Sequence, residues 1–463
     1  MKRQMKWTRR DIATHHTRLL LTVCSAALIC ACGTSSREGD ARVRVVLITL
    51  DTLRFDRFEA IHGKTSAMPL TRSHAERGLV FRHFYTVSPV TQPAHVTFLT
   101  GLPPWEHGIT RNGSVFSDRF PSIVETFKQN GFETRAIVAS FPLARRFGFA
   151  RGFDEFNDDF SHNLSENKLL WESHWKIQAG EFFALGNSIT DRALAALQRA
   201  TEPKQFFWFH YFDPHAPYGI SSGAGAMRKK DIMAGIPTGA AAVKQLLTEA
   251  AALYDKDVRY LDLALDRLLR KLAEDEATYE THIVVVADHG ESLGDGNSIG
   301  HGARLNEAEL RVPAFVISPK VAAGVRNNVT SAIDIAPTLL SLAGLKMTGP
   351  GLPGRDLTAP PTNDSRAFAI RRTFREFGKS ELRLDGEHYS LDEILFCEID
   401  STGRIRRGNR DELIESEENL TTNEHDRIMD SFRTFHEAYE RMNEATAIDA
   451  ETRRGLEALG YIQ

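Results

Sequence analysis

Cysteine is scarce in this chain. Its 463 residues carry four, and three of them, Cys24, Cys30 and Cys32, fall within the first 32. Cys397 stands alone in the remainder, so no disulfide joins two parts of the folded region, and its setting in "EILFCEI" marks it as a small buried hydrophobe. An excess of positive charge is also absent. The chain has 57 Lys and Arg against 61 Asp and Glu, a net charge of −4. Residues 1–31 hold six basic residues and one acidic, so without them 51 stand against 60, or −9. That balance excludes a broad basic face for nucleic acid. Past residue 32 no apolar run is long enough to read as a membrane-spanning helix, and there is no internal repeat.

What is present is ordinary for a soluble fold, 42% hydrophobic and 25% charged, with length for a large core and more than one structural unit. The N-terminus reads as a targeting signal over residues 1–31. "MKRQMKWTRR" is a positive leader, and "LLLTVCSAALICA" is an apolar core too short to span a bilayer comfortably. The junction Ile29-Cys30-Ala31-Cys32-Gly33 resembles a bacterial lipobox, which implies cleavage before Cys32 and lipidation of that residue. The chain is therefore expected at the cell envelope, anchored to a membrane through Cys32. The absence of Asp after the Cys favours the outer membrane or cell surface. Residues 32–41 are a polar tether.

Beyond the tether, continuous apolar, β-branched runs at 42–50, 134–140, 205–212, 281–287 and 312–318 predict strands buried on both faces. Helical patterns alternate with them, around "LTRSHAERG", at 189–200 and at 242–275. This predicts an α/β fold with a mainly parallel central sheet flanked by helices, over residues 42–360. Two segments, 160–175 and 219–242, read as loops that shape a substrate site or as passive insertions. A Pro- and Gly-rich stretch near 348–365 precedes alternating strand patterns and an amphipathic helix at 421–442. Residues 361–463 thus form a smaller α+β unit, ending in a short helix stopped by Gly460.

In open parallel sheets, ligands bind beyond the carboxyl ends of strands. "VVLITLD" ends in Asp51, "FFWFHYFDPH" in His210, Asp213 and His215, and "IVVVADHG" in Asp288 and His289. One acidic strand end is usually a turn cap; three converging ends predict a metal or catalytic site. Carboxylates with an imidazole favour manganese or zinc, with calcium and magnesium as alternatives. "SPVTQPAHVTFLTG" reads as a helix from Gln92 to Thr100, with Thr91 before it and Gly101 as its stop. Taken alone, the stretch supports two readings of Thr91: a plain helix cap, or a nucleophile made acidic by a metal. His95, four positions on, lies near the same face.

The order of "VVLITLDTLRFD", "SPVTQPAHVTFLTG", "ARGFDEF", "HYFDPHAPY", "ADHGESLGDG…HG", "LRVPAFVIS" and "LEALGYI" resembles the sulfatase family of the alkaline phosphatase superfamily. The resemblance implies a nucleophile at the first position of Cys/Ser-x-Pro-x-Arg, normally converted to formylglycine. Here that position is Thr91, which cannot be converted, and the Arg is His95. The usual paired Asp after the first strand is Asp51-Thr52. These departures resemble superfamily members with a native Thr nucleophile, among them nucleotide pyrophosphatases, phosphoethanolamine transferases and lipoteichoic acid synthases. They imply a metal held by Asp51, Thr91, Asp288 and His289, with Thr91, His95, His215 and His301 catalytic. Asp213, His215 and His301 are the set for a second metal. The expected activity is hydrolysis or transfer of a phosphate or sulfate ester, phosphodiester first, on a phosphorylated or sulfated lipid or glycan. The alternatives are a sulfatase working without formylglycine and an inactive surface binder of anionic glycans.

Overall fold

The computed structural model describes residues 42–59, 65–160, 182–236, 239–346, 351–362, 365–372, 380–382, 388–390, 394–415, 420–442, 449–450 and 452–454. The signal, the tether, residues 161–175 of the first loop segment and the Gly460 stop lie outside the described residues.

The apolar runs become the strands β1 (Val43–Leu50), β2 (Leu79–Tyr85), β3 (Glu133–Ile137), β4 (Glu155–Asn157), β5 (Lys204–Tyr211) and β6 (Glu280–Ala287). A short hairpin, β7 (Ser292–Leu293) and β8 (Ile299–Gly300), precedes β9 (Ala314–Ile317) and β10 (Gly324–Ser331). Eight of these form one sheet in the order β10-β2-β9-β6-β1-β5-β3-β4. Every neighbouring pair is parallel except β2/β9 and β6/β9. The central strand β1 lies between β5 and β6 and is buried from Arg44 onward, because helices cover both faces. The helices Gly186–Arg199 and Ala240–Glu274 match the amphipathic patterns. The β3 run ends three residues sooner than its apolar pattern suggests. Ala139 N–H leaves the ladder to donate to His210 Nδ1 at 3.1 Å, and Phe141 N–H goes to Phe182 O. A side-chain acceptor has displaced a strand partner.

Register brings the site together. Leu50 pairs with both Tyr211 and Ala287. The ladder runs one step further, with Asp51 N–H on Tyr211 O at 2.9 Å and Asp288 N–H on Leu50 O at 3.0 Å. The carboxyl ends of β1, β5 and β6 are therefore level.

Beyond the sheet, β11 (Ala367–Arg372) begins a smaller antiparallel layer. A hairpin, β12 (Ser380–Leu382) and β13 (His388–Ser390), precedes β14 (Ile394–Ile399), β15 (Ile405–Gly408) and β16 (Leu413–Glu415). The four-stranded order is β11-β14-β15-β16. The helix Thr422–Met442 packs Ile428, Met429 and Phe432 on Ile370 and Phe396, and Phe435 stacks on Trp105 at 4.3 Å. Cys397 is free and buried, as its context indicated. Among the described residues no helix is long and apolar enough to cross a membrane.

Candidate active site

Thr91 opens the helix Thr91–Thr100 as its first helical residue. Val90 is the N-cap, and no side chain caps the helix. The cap expectation for Thr91 is thus replaced: its hydroxyl is aimed elsewhere, 3.5 Å from His289 Nε2. Gly101 does end the helix, at φ 73°, with its N–H on Thr97 O at 2.7 Å. All ten helix residues are buried. Gln92 secures the first turn: its N–H donates to Asn112 Oδ1, its Nε2 donates to Pro142 O, and its Oε1 accepts from Ser114 N–H.

His95 ties this helix to β1. Its Nδ1 lies 2.8 Å from Thr91 O and its Nε2 3.0 Å from Thr49 Oγ1, which also accepts from Trp208 Nε1. Burial pushes its pKa down to about 3, partly offset by the Thr91 carbonyl, so the ring is neutral. With both nitrogens engaged, His95 positions the helix under Thr91. His107 does similar work from the next turn, through Thr97 Oγ1 and Ile109 N–H.

Asp51, Asp288 and His289 form a group whose ligand atoms lie within 4.8 Å of one another. All three are fully buried. His289 Nε2 stands 3.5 Å from Asp288 Oδ2 and 3.8 Å from Asp51 Oδ1. Two ligands about 2.1 Å from one tetrahedral ion are separated by about 3.4 Å, so these spacings suit ligands that share an ion. The His289 Nδ1–H donates to Gly290 O at 3.0 Å, which leaves the Nε2 lone pair facing the carboxylates. Both Asp51 oxygens and Asp288 Oδ2 are buried without a hydrogen-bond partner among the described residues. Burial, followed by the neighbouring charge of Asp288, raises the Asp51 pKa well above its usual range. Burial likewise raises Asp288 and lowers His289. Uncompensated buried carboxylates are costly, and a divalent cation is the group that satisfies them. The residues fit a metal.

A row of imidazoles leads outward. The His301 ring centre is 4.4 Å from that of His289 and 5.0 Å from that of His215. His301 Nδ1 pairs with Glu291 Oε1 at 3.1 Å, and Glu291 is completely buried. His215 stacks on Phe212 at 4.3 Å and donates its Nδ1–H to Ala216 O. Asp213 does not join them. Its Oδ2 is 2.8 Å from where a Cβ on Gly186 would lie, so the carboxylate faces the start of the 186–199 helix. Among the described residues the inner triad is the one metal-type group, and the Asp213, His215 and His301 set does not assemble. Successive residues past β5 turn to different sides, and strand-end proximity alone does not reveal this.

Arg54 bridges Asp56, Asp295 and the Glu291 carbonyl and so buttresses the site. Tyr218 packs edge-on against Tyr254. Glu309 passed unnoticed in the sequence, inside "NEAELRVP". It accepts from Ser292 Oγ at 2.6 Å and from the Gly302 N–H at 3.0 Å, fixing the loop that carries His301. From the 219–242 segment, Lys229 reaches Gly300: its Cδ lies 3.4 Å from the position of a Cβ there.

The sulfatase family model matches residues 44–345, well over half of the chain. The sulfatase YidJ of Escherichia coli is 23% identical over 386 residues, covering 74% of this chain and 75% of its own length. Choline-sulfatase of Rhizobium meliloti is 22% identical over 352 residues, with coverages of 65% and 68%. Among solved structures, the phosphonate monoester hydrolase of Silicibacter pomeroyi superposes with a TM-score of 0.63 at 19% identity, covering 88% of this chain and 98% of the other. The matched span holds the central strands and the Asp51, Asp288 and His289 group, and the chain belongs to the sulfatase family.

Proposed function

We propose that this sulfatase-family hydrolase uses Thr91 as a covalent nucleophile toward phosphate esters, phosphodiesters first. The observation that carries the reading is the position of the Thr91 hydroxyl, 3.5 Å from His289 Nε2 at the rim of the Asp51, Asp288 and His289 cage. A divalent metal there, manganese or zinc by ligand type, supplies charge neutralisation and a more acidic Thr hydroxyl. The chain's own residues do the rest. Thr91 Oγ forms the bond to phosphorus as its proton passes to solvent water, and the proton that His301 gives to the leaving oxygen is restored by the water or hydroxyl that attacks next. The bond from phosphorus to the leaving oxygen breaks, and His301, oriented by the Glu291 carboxylate, protonates that oxygen. Water or an acceptor hydroxyl then releases the phosphoryl group from Thr91. His215, with Nδ1–H committed to Ala216 O and kept neutral by burial, serves as a contact to the ester and not as the acid. His95 is a positioning residue, not a proton donor. The similarity in fold to a phosphonate monoester hydrolase supports phosphorus chemistry. The sulfatase names among the relatives support sulfate as the second reading.

The test is turnover of an aryl phosphodiester, an aryl phosphomonoester and an aryl sulfate, side by side with manganese or zinc, for the native protein and Thr91→Ala. Phosphodiester turnover that disappears in the variant supports the proposal. Thr91-dependent sulfate turnover replaces it with a sulfatase lacking formylglycine, and binding without turnover of any ester points to the inactive binder. We propose further that Cys32 is lipidated and holds the enzyme at the cell envelope; metabolic labelling with an alkyne fatty acid, lost in Cys32→Ala, is the check.

A further inference from the structure

The two carboxylates of the cage are held in different ways. Asp288 is oriented by the backbone: its Oδ1 accepts from Thr52 N–H at 3.1 Å and His289 N–H at 2.6 Å, leaving Oδ2 toward the cage. Asp51 has no such support, since neither of its oxygens has a hydrogen-bond partner among the described residues. An acidic ligand free to rotate binds a metal weakly, because ordering it costs free energy at each binding event. His210 stands where a restraint is needed. It is fully buried, and Ala139 N–H donates to its Nδ1 at 3.1 Å. A ring nitrogen that accepts carries no proton, so in the neutral ring the proton is on Nε2. That Nε2 faces Asp51 Oδ2 at 3.6 Å, while the other Asp51 oxygen faces His289 Nε2 at 3.8 Å. His95, edge-on to His210 at 5.0 Å, cannot substitute, because Thr91 O and Thr49 Oγ1 occupy its nitrogens.

We infer that His210 is a positioning residue for the metal cage. Its Nε2–H restrains Asp51 through Oδ2 and reserves Oδ1 for the ion, and the Ala139 amide, placed by the early end of β3, fixes the tautomer that makes this work. The inference rests on the metal reading above.

The experiment titrates manganese and zinc separately into metal-stripped protein by calorimetry, for native, His210→Asn and His210→Gln forms. Asn keeps an acceptor near the Nδ1 position for Ala139 but loses the donor toward Asp51; Gln extends a donor to the Nε2 position. The expected result is metal affinity 10- to 100-fold weaker in His210→Asn, about the usual cost of losing such an outer partner, with most of it restored in His210→Gln. Nitrogen-15 spectra of the native imidazoles are expected to place the His210 proton on Nε2. Native-like affinity in His210→Asn, equal losses in both variants, or a proton on Nδ1 would overturn the inference, and the spectra decide even if a variant does not fold. Absence of metal binding by the native protein would instead remove the cage reading itself.

Discussion

In the proposed reaction a single hydroxyl, that of Thr91, carries the chemistry. In that reading Thr91 needs no modification to present an oxygen at the cage rim, where its hydroxyl lies 3.5 Å from His289 Nε2. Thr91→Ala should lower turnover by on the order of 10³-fold or more, while Asp51, Asp288 and His289 still bind metal; steady-state rates and a metal titration on the same preparation check both parts. The carboxylates give a pH signature. A buried carboxyl whose folded pKa is raised above its unfolded value of about 3.9 favours folding below that value. It costs stability progressively as pH rises toward the folded pKa, because the folded state then binds more protons than the unfolded one. Asp51 and Asp288 are both of this kind. Metal-stripped Asp51→Asn protein should therefore gain melting temperature over the native form at pH 8 and not at pH 5, a comparison that cancels the opposite pH dependence of the buried histidines His95 and His289, and added manganese or zinc should raise the native melting temperature more at pH 8. A larger metal effect at pH 5 would show that these carboxylates are not the ligands.

At the scale of elements, close backbone approach holds the ligands in place. The Gly290 that follows His289 is one such point: a Cβ there would lie 2.0 Å from Ala308 O, and its N–H donates to Glu309 O at 2.8 Å. Gly290→Ala should force the two segments apart, destabilise the protein by roughly 2 kcal/mol or more, and weaken metal binding; thermal melts and titration would register both. This scale also marks what the sequence makes legible. β1, β5 and β6 are plain in the apolar runs because burial on both faces leaves no alternation to misread. The Asp51, Asp288 and His289 cage follows from their level ends. The β10 strand, "GVRNNVTS", carries no apolar signal over most of its length, since an edge position leaves much of it exposed. Asp213 and His215 sit two residues apart past β5, and only coordinates reveal that one faces the 186–199 helix and the other His301. Glu309 acts through backbone amides, a role that leaves no pattern of residue types behind.

Across the whole molecule, the smaller C-terminal layer takes part in the site. Arg371 on β11 donates to Ala303 O at 2.6 Å, and Arg407 on β15 donates to Leu305 O. With Glu309 accepting from Gly302 N–H on the other side, the loop behind His301 is tied at successive residues. Arg371→Ala should reduce kcat by about tenfold or more through a misplaced His301 and leave manganese affinity unchanged, because the cage lies on other elements. Loss of metal binding in that variant would mean the C-terminal layer supports the whole sheet and not the His301 loop in particular. In the proposed mechanism the parallel sheet sets the cage, the buried helix sets Thr91, and the C-terminal layer steadies His301.

The most direct measurement is capture of the covalent intermediate. The native protein, loaded with manganese, is mixed with an aryl phosphodiester, quenched in acid within a single turnover and digested for mass spectrometry. A phosphoryl adduct confined to Thr91, and absent in Thr91→Ala, is the predicted result. Ester turnover that persists in Thr91→Ala, or an adduct on a different residue, would contradict the assignment of Thr91 as nucleophile.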